Sequence, residues 1–348
     1  MRSSSHVPDA VDRLAHGLVA PLDDVRSALL RALGGWVRPF VVDPLRRIRW
    51  LGSIGLAIAF GLALVQPGLL LALGPIVLGV PHLVADVRYL VLRPGLHRRA
   101  FFSSLVLLPC ALAFVRPMLE VVAIALLGAA LAARGAWWRR GGLVALAAGV
   151  AIVGGATDRR GEIVFAHLHN AIAFAWLLLG FARSQGESKR LLVPLALAAG
   201  LAVVIAMGLV PTSASGDPTS LARFGLAPWM LRSSLSPVED PVLADRFVAL
   251  FAFGQAAHYA VWLRFVPELA RGRKAPRSFR SSLDALRLDL GTPFFVVALA
   301  LALLFPALAF SDLAFARDAY LRLALFHGPL ELAALGIYFA EEGRGWTR

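Results

Sequence analysis

Apolar residues along this chain gather in long runs separated by short clusters of arginine, proline and glycine. The runs are too continuous for the one-sided helices of a soluble domain, and ten of them are long enough to cross a bilayer as helices. They cover about residues 50–65, 68–92, 100–115, 117–134, 141–156, 161–183, 190–210, 242–265, 292–310 and 318–340. Residues 1–48 differ. There Leu14, Leu18, Val25, Leu29, Leu30 and Leu33 form an apolar stripe broken at Pro21 and Pro39, with Arg46, Arg47 and Arg49 just before the first run. That pattern predicts an amphipathic segment lying on an anionic leaflet. The expected fold is therefore all-α: a polytopic integral membrane helix bundle over 49–348, preceded by a cytoplasmic, interfacial segment over 1–48.

Composition agrees. Over 348 residues, 58% of the chain is hydrophobic and the mean hydropathy is +0.71, outside the range of ordinary soluble domains. The net charge of +13 would suggest nucleic acid in a soluble chain, but here the arginines sit in short connections between apolar runs, so no nucleic-acid partner is expected. Arg88, Arg93, Arg98 and Arg99 fall on one side with Arg134, Arg139, Arg140, Arg183, Lys189 and Arg190, and with the basic loop from Arg264 to Arg287. Taking that side as the cytoplasm satisfies the positive-inside rule at every turn and puts both termini inside. Trp50, Trp137, Trp138 and Trp346 fall at the inner boundaries, as interface anchors do. The Ala, Gly, Leu and Arg bias points to a bacterial chain, hence to a multi-pass protein of the plasma (inner) membrane. Cys110 is the single cysteine and lies in an apolar run, which excludes a disulfide framework and a thiolate metal cluster. The connection 211–241 is rich in Ser, Pro and Gly but carries Leu226, Trp229, Met230 and Leu231, and is expected to lie against the outer mouth of the bundle.

The chemistry lies in the histidines. His6, His16 and His97 fall in aqueous or interfacial segments, whereas His82, His167, His169, His258 and His327 fall inside apolar runs. Those runs are the second, sixth, eighth and tenth, which all cross in the same direction, and the five imidazoles lie within roughly 9 Å of the bilayer centre. Ionisable groups at that depth are costly and mark function. Each histidine has polar company: Asp86 one turn after His82, Gln255 and Tyr259 beside His258, Glu331 one turn after His327, and Asn170 on the face of His167. Metal-bound imidazoles commonly lean on such partners. Residues 167 and 169 point about 200° apart on a helix, so one of them is expected as a ligand and the other elsewhere. Metal ligands are thus expected from His82, His258, His327 and one of His167 or His169. Asp86 and Glu331 would take the catalytic carboxylate role, and Gln255, Asn170 and Tyr259 would orient a bound group. Imidazole with carboxylate and no thiolate suits iron, zinc or copper, and open iron(II) sites are the usual arrangement for activating dioxygen.

Gly79-Val80-Pro81-His82, followed by Asp86, resembles the glycine, aliphatic, proline, histidine and aspartate motif of the Brp/Blh family of membrane β-carotene 15,15′-dioxygenases. The resemblance covers about eight residues and departs from the family at Leu83, where glycine is usual; the family's Trp-His pair is not reproduced at Trp262-Leu263. It implies a multi-helix membrane enzyme in which His82 is an iron ligand, Asp86 its neighbour and β-carotene the substrate cleaved to retinal. The repeated histidine boxes of membrane desaturases are absent.

Two other classes fit the same residues. Two of the histidines could be axial ligands of a haem, or His82, Asp86, His327 and Glu331 could relay protons in a transporter. The leading expectation is a histidine-ligated, Fe(II)-dependent oxygenase acting on a carotenoid or another apolar lipid or isoprenoid reached through the lipid bilayer.

Overall fold

Proline and short polar residues set many of the helix starts. Pro67, Pro228, Pro241 and Pro293 stand in the first turns of their helices, where a missing N–H costs nothing. Asp43, Asp240, Ser278 and Asp312 cap helix starts by accepting hydrogen bonds from backbone N–H groups. The computed structural model describes residues 10–116, 118–177, 188–212, 226–270 and 276–343. All regular secondary structure among them is helical. His6, Arg183, Arg271, Arg273, Lys274, Trp346 and much of the 211–241 connection lie outside the described residues, as do the side chains of Lys189 and Arg190.

In chain order the elements are α1 (Ala10–Leu33), α2 (Pro44–Val65), α3 (Pro67–Leu92), α4 (Ala100–Phe114), α5 (Met118–Ala132) and α6 (Trp137–Trp176). They continue with α7 (Ser188–Ala206), α8 (Pro228–Leu235), α9 (Pro241–Ala260), α10 (Phe279–Leu290), α11 (Thr292–Ser311), α12 (Leu313–Ala324) and α13 (His327–Ala340). Five stretches are long and apolar enough to cross a membrane: α2, α3, the first part of α6 over Trp137–Thr157, α11, and α12 with α13 taken together. The side chains of Phe294, Val297, Leu303 and Phe310 on α11 face outward, an apolar surface that suits hydrocarbon surroundings. The less apolar α9 is enclosed instead, against α2, α3, α6, α7 and α8.

Polar residues 157–162 split two expected spans, 141–156 and 161–183. The structure keeps helical backbone through them, yet α6 is not straight. Leu143 packs on Gly336, and Trp176 stacks edge-on against Tyr338 with ring centroids 5.1 Å apart. A straight helix would hold residues 143 and 176 about 50 Å apart, whereas residues 336 and 338 are a fraction of a turn apart. Helix α6 therefore folds back on itself, and Glu162 at the fold accepts a hydrogen bond from the backbone N–H of Met118 at 2.7 Å.

The amphipathic α1 lies along α10. Asp23 accepts from the N–H groups of Phe279 and Arg280, His16 meets Asp284 at 2.6 Å, and Asp12 pairs with Arg287. Leu14, Leu18, Val25, Leu29 and Leu33 face away from the protein, so the stripe read from the sequence is free for a lipid surface. Trp50, Trp137 and Trp138 are likewise exposed.

One ion pair is buried between the start of α2 and the continuation of α9. Arg47 meets Glu268 through Nη2–Oε2 at 2.8 Å and Nε–Oε1 at 3.2 Å, with side-chain exposures of 3% and 0%. Removing one partner of such a pair strands the other charge, which costs about 3–5 kcal/mol. Glu268→Leu should lower unfolding stability by about that amount, and Arg47→Met added to it should restore most of the loss. Thermal unfolding in detergent reads both, and an unaffected single variant would contradict the account.

Candidate metal centre

Four elements bring histidines of the apolar runs together. His82 and Asp86 project from one face of α3, four residues apart, and both are buried. His258 comes from α9, His169 from the returning arm of α6, and His327 and Glu331 from the first turns of α13. Pro329 lacks the N–H that would bond the carbonyl of residue 325, and the helix is interrupted between α12 and α13 at that point. Wide π-type turns follow Asp86, over Val87–Leu92, and Ala260, over Val261–Phe265. Such turns recur at functional sites.

The donor atoms converge. His82 Nε2 lies 3.0 Å from His258 Nε2, and His169 Nε2 lies 2.8 Å from His327 Nε2. Asp86 Oδ2 is 3.2 Å from His82 Nε2; Glu331 is 3.5 Å from His258 Nε2 and 3.4 Å from His169 Nδ1. Metal–nitrogen and metal–oxygen bonds of about 2.0–2.2 Å place neighbouring ligands about 3.0 Å apart in an octahedron and about 3.4 Å apart in a tetrahedron. The observed separations fall on those edges. Two overlapping sets have every donor within 4.8 Å of the others: His82, Asp86, His258 and His327, and His169, His258 and Glu331.

Two further features suit a cation. The Nδ1 atoms of His82 and His327 face the carbonyls three residues earlier, Gly79 at 3.3 Å and Ala324. Donation to those carbonyls puts the proton on Nδ1 and leaves the Nε2 lone pair aimed at the centre. Asp86 and Glu331 receive no hydrogen bond of good geometry among the described residues, although they are 0% and 1% exposed. Two such carboxylates carry a desolvation penalty of several kcal/mol each unless a positive charge meets them. One divalent ion balances both, so the donor set fits a metal in number, type and charge.

A cavity of about 490 Å³ opens onto this centre. His82, His169, His258 and His327 form its floor; Gln255, Tyr259 and Tyr320 line its walls, and Ser234 and Leu235 of α8 close one side. The 211–241 connection thus contributes part of its cover.

His169 therefore joins the centre, and His167 does not. His167 Nε2 lies 2.8 Å from the Leu235 carbonyl, and its ring packs between Phe247 and Phe251. Asn170 is buried with its side chain against Gly254, and Gln255 and Tyr259 stand at the cavity, the Tyr259 ring 4.8 Å from that of His82. Asp86 keeps to His82, and Arg88, a possible partner by sequence, pairs with Asp289 instead. Tyr320 is not marked out by the sequence pattern, and Trp262 is met there only through the family resemblance. Tyr320 Oη lies 3.4 Å from His82 Nδ1, and the buried Trp262 stands beside Glu331. The seven-residue interval from Tyr320 to His327, two turns of one face, was the available signal. Gly79 explains itself here: a Cβ at that position would run into the Tyr320 ring.

No protein-family model, curated protein or solved structure matches the chain.

His169→Ala should weaken divalent metal binding by at least about tenfold, the scale set by loss of a supporting residue alone, while His167→Ala should leave it within about twofold. Elemental analysis after dialysis against graded chelator distinguishes them, and equal losses would remove His169 from the site.

Proposed function

We propose that this chain is an integral membrane oxygenase holding one non-haem iron(II) and acting on a carotenoid or another apolar lipid. The observation that carries the reading is the gathering of four imidazoles and two carboxylates that receive no hydrogen bond of good geometry, from four helical segments, into two buried donor sets that share His258. Oxygen and nitrogen donors without thiolate suit iron(II) among the common metals. Iron(II) so held supplies the electrons that activate dioxygen. In cleavage of the β-carotene type, both oxygen atoms of O₂ are added across one C=C bond, giving two carbonyl products of the retinal kind.

The protein's part is placement. His82, His258, His327 and His169 hold the ion, Asp86 and Glu331 balance its charge, and the Gly79 and Ala324 carbonyls fix the imidazole tautomers. Tyr259, Tyr320 and Gln255 bound the space where substrate would lie. A haem fits these residues less well, because imidazole pairs 3.0 and 2.8 Å apart leave no room for a porphyrin plane between them. In the same reading the chain crosses a bacterial inner membrane about ten times with both termini in the cytoplasm.

Protein purified from iron-replete cells should carry about one iron per chain, show no Soret band, and convert added β-carotene or a related polyene to a carbonyl product under air. His82→Ala/His327→Ala should lose both iron and product. Stoichiometric iron retained in that double variant would overturn the site, and substrate-driven proton flux in metal-free proteoliposomes would favour a carrier instead.

A further inference from the structure

A second cavity, of about 330 Å³, lies between α3, α10, α11 and the continuation of α9, apart from the metal centre. Its inner wall is apolar, with Val84 and Ala85 of α3, Leu286 of α10, and Phe295 and Leu299 of α11. Its rim is cationic. Arg88 and Arg93 stand there around Tyr89, their guanidinium carbons 5.4 and 5.0 Å from the ring centre, and Arg277 comes from the segment leading into α10. No residue lining the cavity is acidic among those described.

Asp289 is a carboxylate at this rim. Its Oδ2 receives both Arg88 Nε at 2.6 Å and Arg93 Nε at 3.2 Å. Two guanidiniums thus share one anion, and Arg277 has no ion pair among the described residues. The surplus faces the open side of the cavity. That side borders α11, the helix with the most apolar outward surface, and the end of α3 where the apolar run gives way to charge. A ligand here must offer an anion at the level where hydrocarbon ends and a chain that fills an apolar slot beneath it.

We propose that this cavity binds an anionic phospholipid, its head-group phosphate held by Arg93, Arg277 and Arg88 and one acyl chain laid between α3 and α11. Basic pockets between membrane helices recognise anionic head groups in this way. The apolar wall argues for a lipid over a free phosphate, and the exposed face of α11 gives that lipid a lateral path from the bilayer. The site uses none of the metal-centre histidines or carboxylates.

The test is a native mass-spectrometric titration of the delipidated full-length protein in detergent. The probes are phosphatidylglycerol, phosphatidylcholine with the same acyl chains, and inorganic phosphate. Each basic side chain near an anionic head group contributes enough for a few-fold preference, so phosphatidylglycerol should bind roughly ten- to thirtyfold more tightly than phosphatidylcholine. Arg93→Gln/Arg277→Gln should bring the two lipids to within about threefold of each other. Leu299→Trp, which fills the slot and leaves the arginines in place, should weaken both. Equal affinity for the two lipids in the unaltered protein would overturn the proposal, as would a preference that survives the arginine changes. Displacement of phosphatidylglycerol by inorganic phosphate at comparable concentration, or unchanged lipid binding in Leu299→Trp, would overturn it equally.

Discussion

Two carboxylates buried in a helical bundle, with no hydrogen bond of good geometry among the described residues, are the constraint on which the centre of this protein turns. Asp86 and Glu331 sit at 0% and 1% exposure, with imidazole nitrogens at 3.2–3.5 Å and the Trp262 side chain beside Glu331. Neutral imidazoles do not offset two negative charges in a medium of low dielectric constant. The helices around them are therefore arranged about a place for positive charge, and the Nε2 atoms meet there in two pairs, His82 with His258 and His169 with His327. The buried Glu268 is the contrasting case, because there cationic side chains meet the carboxylate, Arg47 at 2.8 Å and Arg264 at 3.4 Å.

That demand explains features of the architecture that packing alone would not require. Helix α9, less apolar than α2, α3 and α11, is enclosed by its neighbours, and its His258 reaches the middle. Helix α6 folds back on itself and so returns His169 to the same level as His327. The interruption before Pro329 lies at the start of α13, where His327 and Glu331 occupy the first turns. The strongly apolar α11, by contrast, contributes no ligand to either donor set and turns Phe294, Val297, Leu303 and Phe310 outward.

Much of this was legible in the sequence, and the limits have physical causes. The apolar runs announced helices, and the histidines inside them, each with a carboxylate or amide a turn away, announced a site. Periodicity showed that His167 and His169 could not both point at one centre, but choosing between them required knowing which face of α6 meets α13. That is a tertiary fact, settled by the Leu235 carbonyl receiving one ring and His327 the other. Tyr320 was hidden because an aromatic residue on an apolar helix carries no mark that separates wall from core. The fold in α6 was placed correctly by the polar residues 157–162, yet its continuous helical backbone was not foreseen, since charge clusters between apolar runs usually read as loops.

The contact of Gly79 with Tyr320 has a consequence for how this centre can change over time. Any side chain at 79 would collide with the ring at 320, and that ring also covers the far nitrogen of His82. The coupling runs one way: position 320 can lose its ring while 79 stays glycine, but a larger residue at 79 is tolerated only once that ring has gone. The glycine of the Gly-Val-Pro-His stretch is thus held in place by a residue 241 positions further along the chain.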